Sequence, residues 1–421
     1  MSLNNLSKIY MRQNNIISAA VFIILLALAG NNLQAQKLSM KDAVKTAIEN
    51  NSEIKAAKLN IQKEDAVKLR SFNIPRPELF LEYEGIKGSL KNYESRKIGI
   101  LQEFEFPTSY FFRSDVQSSQ VEIAKAELDL VSKKIKFEVE NAYLQLLLDK
   151  KLLEIAIDNL KIYTDFLFVA SKKFEAGSTS NLEVLGARVN KIKFENEVKN
   201  LQSQILASES VLKKLLNTGN IEIQPVDELI FKEIIITKEG LLKAALINNP
   251  EVKINRYKKE KYSNKVSLTK SELLPNLSFK YYTQKIGDDG GFWGVEFGLG
   301  LPLWFWWENS GSIKEADYEL KITSVEETNI RSSIENILNL AYEEYVNGLR
   351  QVIFFSGEAV PEADEILRQS RISYNEGAID YVEYLQALQI VYETRVQNLN
   401  AVFSYNQSII KLENISAGEL K

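Results

Sequence analysis

Two residue types are missing altogether: the chain of 421 residues contains neither cysteine nor histidine. Without cysteine there are no disulfides and no thiol nucleophile. Without histidine, no side chain ordinarily changes charge near neutral pH. Together the absences remove the usual ligands of zinc and copper. Proline (8) and glycine (19) are scarce, which favours long uninterrupted elements over many short strands and turns. A formal net charge of -4 gives no basic footprint, so nucleic acid is not expected as a partner. The sequence also lacks a glycine-rich phosphate loop and a close carboxylate pair on a plausible pocket. Glu343 with Glu344, and Glu326 with Glu327, sit on long helical stretches and read as solvated faces. With no base poised near neutrality, an enzyme is not expected, and neither is a cofactor or a metal site.

Long apolar runs are limited to one, residues 16–29, preceded by Lys8 and Arg12 and followed by Ala35. At roughly 14 residues it falls short of the about 20 that a spanning helix needs. The pattern predicts a secretory signal over residues 1–35, cut before Gln36. If the mature chain enters a membrane, it must therefore do so as strands.

What is present is a duplication. Ser39 and Thr237 each open an amphipathic stretch that closes on paired asparagines, Asn50 and Asn51 or Asn248 and Asn249. The same register carries Pro77, Leu79 and Tyr83 onto Pro275, Leu277 and Tyr281. Phe106 and Pro107 match Leu301 and Pro302, and Phe174 to Gly177 match Tyr374 to Gly377. The predicted organisation is a first repeat over 36–216, a connector over 217–235, and a second repeat over 236–421. Each repeat reads helix, β-hairpin, long helix, turn, helix.

Strict alternation marks four strands, at about 77–86, 96–106, 275–286 and 292–301. Each is about 9 to 11 residues, the length of a tilted strand crossing a bilayer. Two ordinary hairpins on a soluble core are the alternative, but the polar faces carry full charges and neither half offers a third strand. Four strands cannot close a barrel with a lumen, so membrane strands require several chains to pool them.

Residues 109–175 carry a helical pattern without proline or glycine, on the order of 100 Å at about 1.5 Å per residue. The second repeat offers 311–376, interrupted by Gly348, Gly357 and Pro361. Opening helices at about 40–70 and 238–271, with returning helices at 181–216 and 378–412, are each about half as long. Two short helices end to end match one long one, which predicts a tall wall of antiparallel pairs. On the last helix Val382, Leu385, Tyr392, Val396, Leu399 and Phe403 fall on coiled-coil-like steps.

The signal, the two repeats, the prolines around each hairpin and the Tyr-x-x-Gly at Tyr374 to Gly377 together resemble the TolC-like outer-membrane efflux proteins. The resemblance covers residues 36 to about 418. Its most specific parts are Leu274-Pro275-Asn276-Leu277, Leu301-Pro302-Leu303 with residues 311–316, and Tyr374-Asn375-Glu376-Gly377. It implies a mainly α fold with a β-barrel contribution. It also implies a homotrimer that pools twelve strands into one outer-membrane barrel continued by a periplasmic helical barrel. The expected partners are a periplasmic adaptor, an inner-membrane pump of RND or ABC type, and outer-membrane lipid.

By the same resemblance the constriction lies just after the glycine of the second repeat. Glu383, six residues after Gly377, matches one of the family's pore acids; the second falls on Gln386, a departure. Asp380 lies nearby without matching a motif position, and Tyr374 matches the tyrosine that holds the tip closed. The family's basic partner falls on Ile379, so that part of the lock is missing. Gly177, Ser178 and Thr179, with Gly377, Ala378 and Ile379, would form the adaptor-docking turns. The bland alternative for Glu383 and Asp380 is a pair of solvated acids at a helix N-terminus.

All four tryptophans lie between Trp293 and Trp307. Trp304, Phe305, Trp306 and Trp307 would mark the periplasmic edge of the bilayer, where amphipathic rings prefer to sit. A buried aromatic cluster is the alternative. The rival function is a structural coiled-coil protein of the envelope without channel activity, which would not need the duplicated hairpins.

Overall fold

The computed structural model describes residues 36–89, 92–218, 223–301, 306–418 and 420. The signal segment therefore lies outside the described residues. The first repeat runs β1 (Gln36–Leu38), α1 (Met40–Asn50), α2 (Ser52–Leu69), β2 (Glu78–Glu84), β3 (Ser95–Phe104), α3 (Pro107–Glu175) and α4 (Asn181–Leu216). A short strand β4 (Ile223–Pro225) follows, then α5 (Lys238–Asn248), α6 (Pro250–Ser271), β5 (Asn276–Ile286) and β6 (Asp289–Gly300). The chain ends with α7 (Trp306–Phe354), a π turn (Phe355–Ala359), α8 (Val360–Glu376) and α9 (Tyr381–Ser416).

Helix α3 is 69 residues long, with its one proline at the first turn where no amide partner is lost. Opening helices expected to be single are each broken in two. Asn51 takes an extended backbone (ψ 133°) and accepts from the amides of Glu53 (2.7 Å) and Ile54 (3.2 Å). Asn249 does the same for Glu251 (2.9 Å), and Pro250 further disfavours helix at the residue before it. Each asparagine ends one helix and caps the next.

Of the three expected interruptions in the second long helix, Gly348 causes none. It lies within α7, and a Cβ there would come 3.1 Å from the Tyr405 Cα, so glycine here allows α7 and α9 to approach closely. The irregularity falls at the π turn, which holds Gly357 and precedes Pro361. Pro361 offers no N–H to the Gly357 carbonyl four residues back, and the wider turn accommodates its ring.

A strand pair that the sequence reading lacked joins the repeats: β1 and β4 are parallel, with Leu38 opposite Pro225. Tyrosines strap β1 and the connector to the helices. The Tyr143 hydroxyl donates to the Leu38 carbonyl (2.8 Å), that of Tyr405 to Lys232 (3.1 Å) and that of Tyr345 to Ile234 (2.6 Å). The main core lies here, around Tyr143, Leu146, Leu212, Leu338 and Leu412.

The two hairpins form one antiparallel sheet, ordered β2-β3-β5-β6. β2 is shorter than the expected strand, and Phe106 leaves β3 to stand before α3. Ile286 faces Asp289 across a tight turn at Gly287 and Asp288, where Gly287 has φ +56°. Register puts Leu79 beside Ile100, Ile100 beside Tyr281, and Tyr281 beside Val295, so one apolar face crosses all four strands. That face is bare: Leu79 is 82% and Phe297 79% exposed. The opposite face is charged, with Lys97 bonded to Glu84 (2.6 Å) and near Glu82 (3.5 Å), and Lys280 at 3.8 Å from Glu82. β2 and β6 are edge strands within the chain. No described helix is long and apolar enough to cross a membrane.

Candidate functional site

Far from the sheet, the α3–α4 and α8–α9 hairpins end side by side. Each turn is closed by a glycine in left-handed conformation, Gly177 at φ +72° and Gly377 at φ +74°. The amide of Ser178 bonds the Lys173 carbonyl, and that of Ala378 bonds the Ser373 carbonyl, both at 2.8 Å. Nothing lies within 4 Å of a Cβ built on either glycine, so backbone conformation alone demands the residue. Gly177, Ser178, Gly377 and Ala378 are exposed, whereas Thr179 and Ile379 are half-buried. Ile379 packs on the aromatic cluster beneath, a non-polar role at the position that lacks the family's basic partner.

That cluster joins the hairpins. Tyr374 is only 4% exposed and stacks on Tyr384, with centroids 4.7 Å apart and planes at 9°. Phe166 touches Tyr374 (5.3 Å), Tyr384 (5.5 Å) and, stacked, Tyr381 (5.4 Å). Across the same seam Phe194 meets Tyr392 edge-on at 5.1 Å. The Tyr381 ring lies over Gly186, where a Cβ would sit 2.1 Å from its hydroxyl oxygen.

Polar contacts complete the joint. The Tyr374 hydroxyl donates to the Glu183 carboxylate, whose other oxygen accepts from Thr179. Lys173 donates to the Tyr374 carbonyl (3.2 Å) with its ammonium 4.0 Å from the ring centroid. Burial, reinforced by the Glu183 carboxylate, raises the Tyr374 phenol well above its ordinary value. Burial pushes Tyr163 beneath it up to about 12.

Asp380 and Glu383 are exposed and bonded to each other's backbone. Asp380 accepts from the Glu383 amide (2.9 Å), and the Glu383 carboxylate from the Asp380 amide (3.3 Å), a capping box that starts α9. Within one chain both acids therefore have a local structural task, and neither touches Tyr374. Glu183 was not singled out in the sequence. Its signal was symmetry, because Glu183 follows Gly177 by the same six positions that separate Glu383 from Gly377. Trp304 and Phe305 lie outside the described residues, and of Trp306 and Trp307 only the backbone, opening α7, is described. Among the described residues no three acidic side chains cluster as a metal site would require.

A sheet that is apolar on one face and charged on the other stands at one end of the chain, and two joined helical hairpins stand at the other. The outer membrane efflux protein family matches residues 43–218 and 241–418, and the chain belongs to that family. It is the outer-membrane channel component of an efflux system of the Gram-negative-type envelope, with a large periplasmic portion. Family members work with an adaptor and an inner-membrane pump. The chain is similar to the cobalt-zinc-cadmium resistance protein CzcC of Cupriavidus metallidurans, with 20% identity over 90% of each chain. Among solved structures, the outer-membrane channel OprN has a TM-score of 0.74 at 16% identity, covering 90% of each chain. The outer membrane protein VceC of Vibrio cholerae has a TM-score of 0.71 at 14% identity, over 91% of this chain and 97% of that one. At these identities the two structures are likenesses of fold.

Proposed function

We propose that three copies pool their sheets into one twelve-stranded barrel and their helices into a tunnel that is gated at the helical tip. The carrying observation is the sheet: among the described residues its apolar face is uncovered and its two edge strands have no partner. Further copies satisfy both needs at once, because closure removes the edges and lipid covers the face. The charged face of Glu82, Lys97, Lys280 and Glu296 then lines the lumen.

The tip is the gate. Tyr374 and Glu183 hold the second hairpin against the first, and releasing that contact frees α8–α9 to swing. A three-fold arrangement of Glu383 brings like charges together in a narrow pore, favouring cations over anions, with Asp380 beside it. The exposed turns at Gly177, Ser178 and Thr179, and at Gly377, Ala378 and Ile379, dock the adaptor, which couples the channel to a pump of RND or ABC type. A chain without histidine or cysteine offers no soft metal ligand apart from methionine, so a metal cargo would have to be selected by the pump. Purified protein in planar bilayers tests the reading: it should conduct poorly, and Tyr374→Phe should conduct better. No conductance from either protein would count against a channel.

A further inference from the structure

The outward face of the sheet has a charge pattern that channel formation does not explain. Of the strand acids, Glu78, Glu82, Glu84, Glu103 and Glu296 alternate onto the charged inner face together with Lys97 and Lys280, and Asp289 stands opposite Ile286 at the β5–β6 turn. Apart from Asp289 at the turn, the strands present no acid on the outer face, and they present two cations there, Arg96 and Lys285. They stand directly opposite each other on the paired central strands β3 and β5, one pair beyond Ile98 and Thr283. Like charges in that position repel and need a compensating anion. Neither side chain has a hydrogen bond or ion pair with any described residue. The nearby turn acid Glu94 is already bonded to Lys87 (2.8 Å).

Their depth is fixed by the strands. Helices leave the sheet at Phe104 and Gly300, whereas Arg96 and Lys285 sit beside the turns at the opposite end. The turns are tied together there by the Gly287 amide on the Glu94 carbonyl (2.8 Å). With the helices in the periplasm, this end faces the exterior. Below the pair lies the apolar band of Leu81, Ile98, Ile100 and Tyr281. Around it are amphipathic rings: Tyr83, opposite Arg96 and edge-on to Tyr93 at 5.0 Å, and Trp293, which is 68% exposed. An apolar band, a ring of amphipathic aromatics and then two unpaired cations follow the order of acyl chain, interface and headgroup phosphate.

We propose that Arg96 and Lys285 bind a phosphate of an outer-leaflet lipid headgroup. Both belong to central strands of one chain, so the site is complete in each copy. The inference rests on the membrane reading of the sheet, and the geometry selects a lipid phosphate over a free one because the pair faces the acyl phase rather than the lumen.

The test titrates detergent-extracted, delipidated protein with phosphorylated or dephosphorylated lipid A and counts bound lipid by native mass spectrometry. Wild type should bind the phosphorylated form roughly 30-fold more tightly than does the Arg96→Gln/Lys285→Gln variant, given two cations at a headgroup surface. Dephosphorylated lipid A should bind both proteins alike, and millimolar inorganic phosphate should not displace the lipid. Should the double variant not assemble, the two lipids on wild type decide the matter. Equal affinity of wild type for both lipids, unchanged binding in the variant, or displacement by free phosphate would overturn the site. Wild-type conductance reads the channel separately: a protein that conducts without preferring the phosphorylated lipid loses this site alone.

Discussion

The Tyr374 hydroxyl on one helical hairpin donates to the Glu183 carboxylate on the other. The two residues are 191 positions apart, and this bond, with the Lys173 bond to the Tyr374 carbonyl and the Phe166 ring against Tyr374, Tyr381 and Tyr384, joins the tips of the two repeats. Tyr374→Phe keeps the stacking and removes the bond; Glu183→Gln keeps the shape and removes the charge. A hydrogen bond to a charged acceptor is worth about 1.5–3 kcal/mol, so each change should raise the open population by roughly tenfold or more. Conductance of the single and double variants checks this. Additive effects in the double variant would mean that the two side chains do not act through one another.

The same contact gives a pH dependence. The phenol is neutral when folded and its pKa is raised, so its contribution is complete below the ordinary tyrosine value near 10. Above that pH the separated state gains by ionising while the latched state does not. The latch should therefore be stable across neutral pH and weaken as pH rises beyond about 10. Conductance measured from pH 7 to 11 should rise only at the alkaline end, and Tyr374→Phe should reduce that rise, leaving the share of the other buried phenols of the joint, Tyr163, Tyr381 and Tyr384.

Glu383 caps α9, and in the proposed channel it also lines the pore; one substitution separates the two. Glutamine can complete a capping box as glutamate does, but carries no charge. Glu383→Gln should leave thermal stability within about 0.5 kcal/mol of wild type and reduce cation selectivity. Asp380→Ala, which removes the cap, should cost about 1 kcal/mol. Unchanged selectivity in Glu383→Gln would remove Glu383 from the pore.

Two glycines of α7 should respond in opposite directions. Gly348→Ala drives a methyl to 3.1 Å from the Tyr405 Cα and should destabilise by about 1–3 kcal/mol. Gly311→Ala meets nothing within 4 Å and should stabilise the helix by up to about 1 kcal/mol. Thermal unfolding in detergent distinguishes them; equal shifts would contradict the close α7–α9 approach.

Much of this architecture was legible because two periodicities carry it. Alternation at Leu79 to Tyr83 and Trp293 to Leu301 revealed a face, and the repeat fixed the order of elements. Pairing was less legible: β3 meets β5 only after more than a hundred intervening residues, and alternation says which face a strand shows, not which strand it joins. β1 and β4 are three residues each, too short for any period to appear. Asn51 and Asn249 looked like helix ends or helix interiors until their side chains were seen to cap. Gly348 looked like a breaker because its reason, the passing backbone of Tyr405, lies on another helix. Tyr374 was marked by resemblance, whereas Glu183 needed the folded tip to bring it into contact.

The central claim is that the bare sheet closes against further copies of itself in the outer membrane. Native mass spectrometry of the protein extracted from outer membranes in mild detergent tests it most directly. The account predicts three copies of the chain, with assembly abolished by Phe297→Lys on the apolar face, where a midplane lysine costs about 2–4 kcal/mol per chain. A monomer recovered from the soluble periplasmic fraction, indifferent to Phe297→Lys, would contradict it.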